Sequence, residues 1–202
     1  MAVETHIYDE EFFKNTRTYE TASAKAFTDI IAHEFSFNSI IDIGCGVGIY
    51  LKEFAAMGKE ISGYDGAPAA VEGSLVGDKI KLHDLTTPLR LDQHFDLALC
   101  IEVAEHLPPE AASVLVDSMV SLSDTIIFTA AIPGQGDRGI GHINEQPHRY
   151  WIDLFAERGY AYNKEVSEDT RHKLKAAGVI WWIVQNFMTF KKAASPLTAP
   201  QS

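Results

Sequence analysis

The sequence predicts an α/β fold in which a mostly parallel sheet is flanked by helices. Seven strand-like segments are spread along the chain, and stretches with helical spacing of apolar residues separate most of them. The continuous apolar run FDLALCI at 95–101 is typical of a strand that is covered on both faces. Alternating strands and helices favour parallel pairing, so both observations indicate the same class.

The elements follow one another in a regular order. The first, at 9–35, has apolar residues at helical spacing, and a second helix is expected at 49–57, where Gly58 is a plausible end. Further helices are expected after the pair Pro108–Pro109 and at 150–159, and the stretch between the last two strands has helix-like character. The predicted strands are 39–44, 59–65, 79–84, 95–101, 125–132, 160–166 and 186–192.

Length and composition limit the classes of function. The 202 residues favour a single domain at 1–192, with an N-terminal helical segment at 1–35 and a flexible tail at 193–202. The 28 acidic and 17 basic residues leave a net charge of −11, which argues against a nucleic-acid partner. The two cysteines lie in or beside apolar runs and the start lacks a signal-peptide pattern. A cytoplasmic protein without a membrane span is expected, and a homodimer is compatible with these features.

A glycine-rich motif, DIGCGVG at 42–48, lies between the first strand and the next helix. A tight turn needs fewer than three glycines, so glycine at 44, 46 and 48 indicates that the backbone lies close to a ligand. The dinucleotide-binding pattern G-x-G-x-x-G would place its last glycine at position 49, where this chain has Ile49.

Two aspartates follow the next two strands. Asp65 ends the second strand, and a carboxylate at this edge of the sheet can accept hydrogen bonds from two vicinal ribose hydroxyls. Asp84 ends the third strand in the sequence HDLT, where its carboxylate can accept a bond from an adenine amino group. A turn-capping role for Asp65 is the alternative.

Together, the motifs DIGCGVG, YD, HDL and FDLALCIEVAEHL resemble those of the class I S-adenosylmethionine-dependent methyltransferases over about residues 36–165. The resemblance implies a Rossmann-like, seven-stranded sheet and S-adenosyl-L-methionine as the cofactor. It places the glycine loop under the methionine part of the cofactor, Asp42 near the amino group, Asp65 at the ribose and Asp84 at the adenine. The full predicted cofactor set is Asp42, Gly44, Cys45, Gly46, Gly48, Asp65, Gly66, Asp84, Leu85 and Glu102.

An E-x-x-E-H stretch after the fourth strand contains Glu102, Glu105 and His106. It is similar to stretches in the ubiquinone-biosynthesis O-methyltransferases and in the small-RNA 2′-O-methyltransferases, and in the latter these residues bind a divalent cation with a distant histidine. The resemblance implies a metal site with His142 as a fourth ligand. Mn²⁺, Fe²⁺ or Zn²⁺ would suit this ligand set better than Mg²⁺. The alternative is that Glu102 lines the cofactor pocket and the other two residues brace the loop.

The polar loop after the fifth strand carries His142 and His148, with glycines at 134, 136, 139 and 141 that would let it close over a substrate. It resembles a bacterial small-molecule subgroup with a GHINEQ-type loop. Because an imidazole titrates near neutral pH, His142 is the predicted general base, with His106 and His148 as reserves. The N-terminal aromatic residues are candidates for a lid. Trp181 and Trp182 are expected in the core near the last strand, with the lining of an acceptor pocket as the alternative. The aromatic residues in question are Tyr8, Phe12, Phe13 and Tyr19.

The function predicted by this resemblance is methyl transfer to a small-molecule acceptor, with oxygen favoured over nitrogen as the acceptor atom. Three alternatives remain at this point. They are an NAD(P)-dependent reductase on a Rossmann-like sheet, an RNA 2′-O-methyltransferase, and a non-catalytic module that binds the nucleoside.

Overall fold

The computed structural model describes residues 7–135 and 140–194 and shows a seven-stranded sheet in the order β3-β2-β1-β4-β5-β7-β6. The strands are β1 (Ser39–Ile43), β2 (Glu60–Asp65), β3 (Ile80–Leu82), β4 (Leu97–Ile101), β5 (Thr125–Thr129), β6 (Tyr160–Tyr162) and β7 (Met188–Lys192). The first five pair in parallel, and β7 is antiparallel to both of its neighbours. The predicted mostly parallel, Rossmann-like sheet is confirmed.

Seven helices flank the sheet in the described part of the chain: α1 (Glu10–Glu34), α2 (Ile49–Ala56), α3 (Pro68–Glu72), α4 (Ala112–Leu122), α5 (His148–Ala156), α6 (Lys164–Ala176) and α7 (Trp181–Asn186). The first of them begins where the Asp9 side chain accepts the Phe12 N–H at 2.9 Å. It packs on α2 and α6 through buried residues such as Phe27 and Ile31. None of the described helices is both long and apolar enough to cross a membrane.

The order of the strands decides where a ligand can bind. The chain moves outward from β1 through β2 to β3, then returns to pair β4 with the other side of β1. Loops that leave β1 and β4 therefore diverge on opposite faces of the sheet and open a crevice at the carboxyl ends of these strands. A cavity of ≈ 1040 Å³ lies at this crevice.

The two faces of the sheet bury separate apolar clusters because strand side chains alternate. Ile41 and Ile43 point into one cluster with Cys100 and Trp151, whereas Ile40 points into the other. Cys45 lies in the second cluster, and both cysteines are free and buried.

The predicted strand at 160–166 is wrong beyond Tyr162. Asn163 caps a helix instead, since its side-chain oxygen accepts the Val166 N–H at 3.3 Å, and α6 begins at Lys164. Local apolar alternation does not reveal such a cap. The fourth strand is also shorter than predicted, because Phe95 forms only an isolated bridge with Ser123.

Candidate functional site

A cavity of ≈ 1040 Å³ opens at the carboxyl ends of β1, β2 and β4. Its floor consists of the loops that follow these strands, and the N-terminal part of the long helix α1 covers one side. This is the position at which parallel α/β sheets bind their ligands. The cavity is large enough for a nucleoside cofactor together with a second small molecule.

The glycine loop after β1 has a backbone conformation that favours glycine. Gly44 has a φ of +78°, and a Cβ atom there would lie 2.3 Å from Val103 Cγ2. Gly48 has a φ of +83°, and a Cβ atom there would lie 2.8 Å from Ile80 Cδ1. Gly44 and Gly46 line the cavity and Gly48 does not. At positions 44 and 48 the conformation and the packing against this chain's own side chains therefore already require glycine.

Asp65 is fixed against the glycine loop. Its Oδ2 accepts the Gly46 N–H at 2.8 Å, and its Oδ1 accepts the Ala67 N–H at 2.8 Å. Burial raises the pKa of this carboxyl, and the backbone donors oppose that rise. Gly66, Cys45 and Asp65 all line the cavity, so the structure brings these predicted cofactor residues together.

Two acids that line the cavity, Asp42 and Glu20, influence each other's charge. Asp42 is only 1% exposed, and its Oδ1 has no hydrogen-bond partner in the described part of the chain. Burial, followed by the charges of Asp65 and Glu20, raises its pKa to about 7. Burial and then the charge of Glu102 raise the pKa of Glu20 to about 7, and the Tyr50 hydroxyl opposes that rise. Glu20 is contributed by α1, and sequence reasoning missed it, because nothing in its local sequence separates it from the other acids of that helix.

The charge of the lining has one sign. Among the described residues the cavity is lined by eight carboxyl groups and by no lysine or arginine. The acids are Asp9, Glu11, Glu20, Asp42, Asp65, Asp84, Glu102 and Glu105. Such a lining attracts a cationic ligand and repels a polyanion such as a pyrophosphate or RNA.

Glu102 has unusual backbone and side-chain surroundings. Its φ of +53° is the only positive value among non-glycine residues in the described part of the chain. Its N–H donates to Thr129 Oγ1 at 2.9 Å, and its carboxylate accepts from Asn186 Nδ2 at 3.1 Å. Strained positions of this kind cluster at functional sites. Burial raises the pKa of Glu102, and the Thr129 and Asn186 contacts oppose the rise.

Glu105 is fully buried beside Glu102, and among the described residues neither of its carboxyl oxygens finds a hydrogen-bond partner. Burial and the charge of Glu102 raise the pKa of Glu105 well above its ordinary value. A cation beside the carboxyl of Glu105 would oppose this rise of its pKa.

Two histidines meet Glu105 at the cavity wall. The rings of His106 and His142 contact edge to face with centroids 4.8 Å apart. One ligand atom each from Glu105, His106 and His142 lies within 4.8 Å of the others, and Glu102 is not part of this group. Burial and then the charge of His142 lower the pKa of His106 to about 4, so this ring is neutral. Two imidazoles and a buried carboxyl form a donor set that suits a divalent transition metal.

Of the remaining predicted site residues, some line the cavity and others lie outside its lining. Leu85 lines the cavity, and Asp84 lies exposed at its edge, where Oδ1 accepts the Thr86 N–H at 2.9 Å. The two Thr86 donors lower the pKa of Asp84. His148 begins α5 outside the cavity lining, and burial lowers its pKa. Gly136 and Gly139, which were predicted to help the loop close, lie outside the described residues.

Aromatic side chains surround the opening. The predicted lid residues Tyr8, Phe12, Phe13 and Tyr19 all line the cavity. Trp181 also lines it and is 50% exposed, so the expectation that it fills the core is wrong. The short helix α7 places this ring at the opening, beyond the reach of the sheet's apolar face.

A family model described as a methyltransferase domain matches residues 14–124, more than half of the chain. This chain belongs to the methyltransferase-domain family. The matched region contains the glycine loop, Asp65, Asp84 and the E-x-x-E-H stretch. The assignment to a subgroup with a GHINEQ-type loop stays a prediction.

Two curated relatives are both named as ubiquinone biosynthesis O-methyltransferases. The protein from Aromatoleum aromaticum is 32% identical over 83 residues, which cover 37% of this chain and 36% of the relative. The protein from Saccharophagus degradans is 28% identical over 137 residues, which cover 61% of this chain and 50% of the relative. The matches thus span between about a third and half of these relatives' length.

Several solved structures share the fold of this chain. The magnesium protoporphyrin IX methyltransferase of Synechocystis, with bound S-adenosylhomocysteine, has a TM-score of 0.59 at 19% identity and covers 75% of this chain and 78% of its own. DesVI of Streptomyces venezuelae has a TM-score of 0.64 at 12% identity and covers 94% of this chain and 98% of its own. This chain therefore has the class I methyltransferase fold.

Proposed function

We propose that this protein transfers the methyl group of S-adenosylmethionine to a hydroxyl oxygen of a small molecule. The observation that carries the proposal is that, among the described residues, eight carboxyl groups and no lysine or arginine line the cavity, one of them the buried Asp42, whose Oδ1 has no partner in the described part of the chain. S-Adenosylmethionine has two positive groups, an ammonium and a sulfonium, and one carboxylate, so it is a net cation. NAD(P) and RNA are anions, which disfavours the reductase and RNA alternatives at this cavity.

Each part of the cofactor has a candidate partner in the lining. Asp42 and Glu20 would hold the ammonium group, and their charged forms become favourable once a cation lies beside them. Asp65 would accept the ribose hydroxyls, and Asp84 with Leu85 would border the adenine. The cofactor supplies a methyl group that is activated for nucleophilic attack.

The residues around the acceptor would orient it, exclude water and remove a proton. Tyr8, Phe12 and Trp181 provide an apolar wall at the cavity opening. His142, at the same wall, is the proposed general base for a hydroxyl group. Oxygen is favoured over nitrogen as the acceptor atom because the curated relatives are named O-methyltransferases.

The group of Glu105, His106 and His142 is the proposed site for a divalent cation, with Mn²⁺, Fe²⁺ or Zn²⁺ favoured over Mg²⁺. A cation there would occupy the free lone pair of His142, so in the metal-bound form His142 would be a ligand in place of the general base, and the cation would lower the pKa of an acceptor hydroxyl. Removal of metal with a chelator, followed by addition of one ion at a time, tests this part of the proposal. Full activity in metal-free protein would contradict it.

Calorimetry with S-adenosylmethionine, S-adenosylhomocysteine and NADPH tests the cofactor assignment. We expect binding of the first two at micromolar concentration and none of NADPH. Turnover is then measured with a panel of phenols, alcohols and amines by detection of S-adenosylhomocysteine. Binding of NADPH alone would overturn the proposal.

A cytoplasmic location is also proposed, and it rests on the two free, buried cysteines.

A further inference from the structure

Glu145 and His142 form a hydrogen-bonded pair within the loop that follows β5. The distance from His142 Nδ1 to Glu145 Oε1 is 2.8 Å, and the two side chains are 13% and 17% exposed. We propose that Glu145 is the positioning residue of the site, which holds His142 in the Nδ1–H tautomer. The catalytic consequence rests on the function proposed above.

The carboxylate of Glu145 is itself held in place. Its second oxygen, Oε2, accepts the N–H of Gly134 at 3.0 Å. The two oxygens therefore connect His142 to the chain segment that leaves β5. A side chain with both oxygens engaged loses rotational freedom and presents a fixed acceptor to the imidazole.

The backbone next to His142 is fixed to the other half of the candidate site. The N–H groups of Ile143 and Asn144 donate to the Glu105 carbonyl at 2.9 and 3.0 Å. Asn144 is only 3% exposed, and its side-chain amide donates to the Ala104 carbonyl at 3.4 Å. These contacts set the distance between His142 and the Glu105–His106 turn, and Glu145 sets how the ring is oriented.

The chemistry of the pair decides the tautomer. An ionised carboxylate only accepts hydrogen bonds, so His142 Nδ1 must carry the hydrogen. The lone pair then lies on Nε2, the nitrogen that remains for a proton from the acceptor hydroxyl or for a cation. Carboxylate partners of this kind set the tautomer of catalytic and metal-binding histidines in general, and their loss costs about 10–100-fold in activity or metal affinity.

The substitution Glu145→Gln tests the assignment, because the amide has the same shape and its NH₂ group can donate to Nδ1. Long-range ¹⁵N–¹H NMR spectra of the imidazoles identify the tautomer at about pH 8.5, above the ordinary histidine pKa. His142→Asn assigns the signal. Glu72→Gln, which removes an acid outside the cavity lining, is the matched control.

We expect the Nδ1–H tautomer of His142 in the wild type and in Glu72→Gln, and a shift to Nε2–H in Glu145→Gln. The kcat of Glu145→Gln should fall about 10–100-fold, with the KM for S-adenosylmethionine within about twofold, and Glu145→Asp should recover part of the loss. An Nε2–H tautomer of His142 in the wild-type protein would by itself overturn the assignment. If the tautomer shifts but no acceptor is methylated by any form, the positioning role stands and the proposed function fails.

Discussion

The carboxylate of Asp65, at the end of β2, accepts the backbone N–H of Gly46 at 2.8 Å. One hydrogen bond therefore joins the glycine loop to the residue proposed to bind the ribose. The same carboxylate accepts the Ala67 N–H through its other oxygen. The two contacts together hold the loop after β2 against the loop after β1.

Replacement of Asp65 by Asn should weaken S-adenosylmethionine binding by about 10–100-fold, since bonds to a charged acceptor are worth about 1.5–3 kcal/mol. Calorimetry measures the loss. Asp78→Asn, in the exposed turn Gly77–Lys79, is the control and should bind as the wild type does. Equal affinity of the Asp65 and Asp78 variants would remove Asp65 from the binding site.

Replacement of Gly44 by Ala should destabilise the protein more than the same change at Gly58. Both glycines have a φ of +78°, but a Cβ at Gly58 meets nothing within 4 Å, whereas one at Gly44 lies 2.3 Å from Val103. The left-handed conformation costs about 1–2 kcal/mol at either position, and overpacking adds about 1–3 kcal/mol at Gly44. Chemical unfolding of both variants measures the difference, and equal losses would contradict the packing argument.

The unliganded protein should lose stability as the pH rises from about 5 to 8. Burial raises the pKa of Asp42 to about 7, above its value of about 3.9 in an unfolded chain. The folded state therefore binds more protons than the unfolded state in this range. The stabilisation that comes from protonated Asp42 is complete below the pKa of Asp42 in the unfolded chain, and it is lost as the pH rises through the pKa of Asp42 in the folded protein. Thermal unfolding at a series of pH values measures how steeply the stability falls with pH, and this slope should be smaller in Asp42→Asn. An unchanged slope would exclude Asp42 as its source.

Affinity for S-adenosylmethionine should rise over the same pH range, because deprotonated Asp42 and Glu20 attract the ammonium group. S-Adenosylhomocysteine lacks the sulfonium charge, but it keeps the ammonium and should follow the same trend. Calorimetry at about pH 6 and 8 measures both ligands. A flat profile for both would exclude these two acids from ammonium binding.

Removal of the Tyr8 hydroxyl should reduce turnover by about 5–10-fold, the effect of about 1–1.5 kcal/mol from one lost hydrogen bond. This hydroxyl lies 2.9 Å from His106 Nδ1, and burial raises the pKa of Tyr8 to about 12, so it stays protonated. Tyr8→Phe keeps the ring contacts with Phe12 and His106. Tyr162→Phe, in the edge strand β6, is the control. Turnover equal to that of the control would show that His106 needs no partner from the N-terminal segment.

The mostly parallel sheet and the edge of it that carries the site could be predicted from the sequence, whereas the antiparallel placement of β7 between β5 and β6 could not. Apolar runs that end in Gly44, Asp65 and Asp84 are local signals, and parallel pairing brings their ends to one edge. The positions of Glu105, His106 and His142 at one wall required the fold, because residues 105 and 142 lie on loops after different strands.

Other parts of the site leave no local signal. Glu20 comes from α1, Asn186 reaches Glu102 across 84 positions, and Tyr8 reaches His106 across 98. Glu20 and Asn186 are ordinary helix residues when read in sequence, and the sequence predicts Tyr8 only as part of a lid, with no sign of its contact with His106. Tertiary packing alone makes them neighbours of the site.

A crystal structure with bound S-adenosylhomocysteine tests the central claim most directly. The account predicts the ribose hydroxyls at Asp65, the ammonium group beside Asp42 and Glu20, and the adenine near Asp84 and Leu85. A nucleoside bound on another face of the sheet, or a cavity that stays empty at saturating ligand, would contradict it.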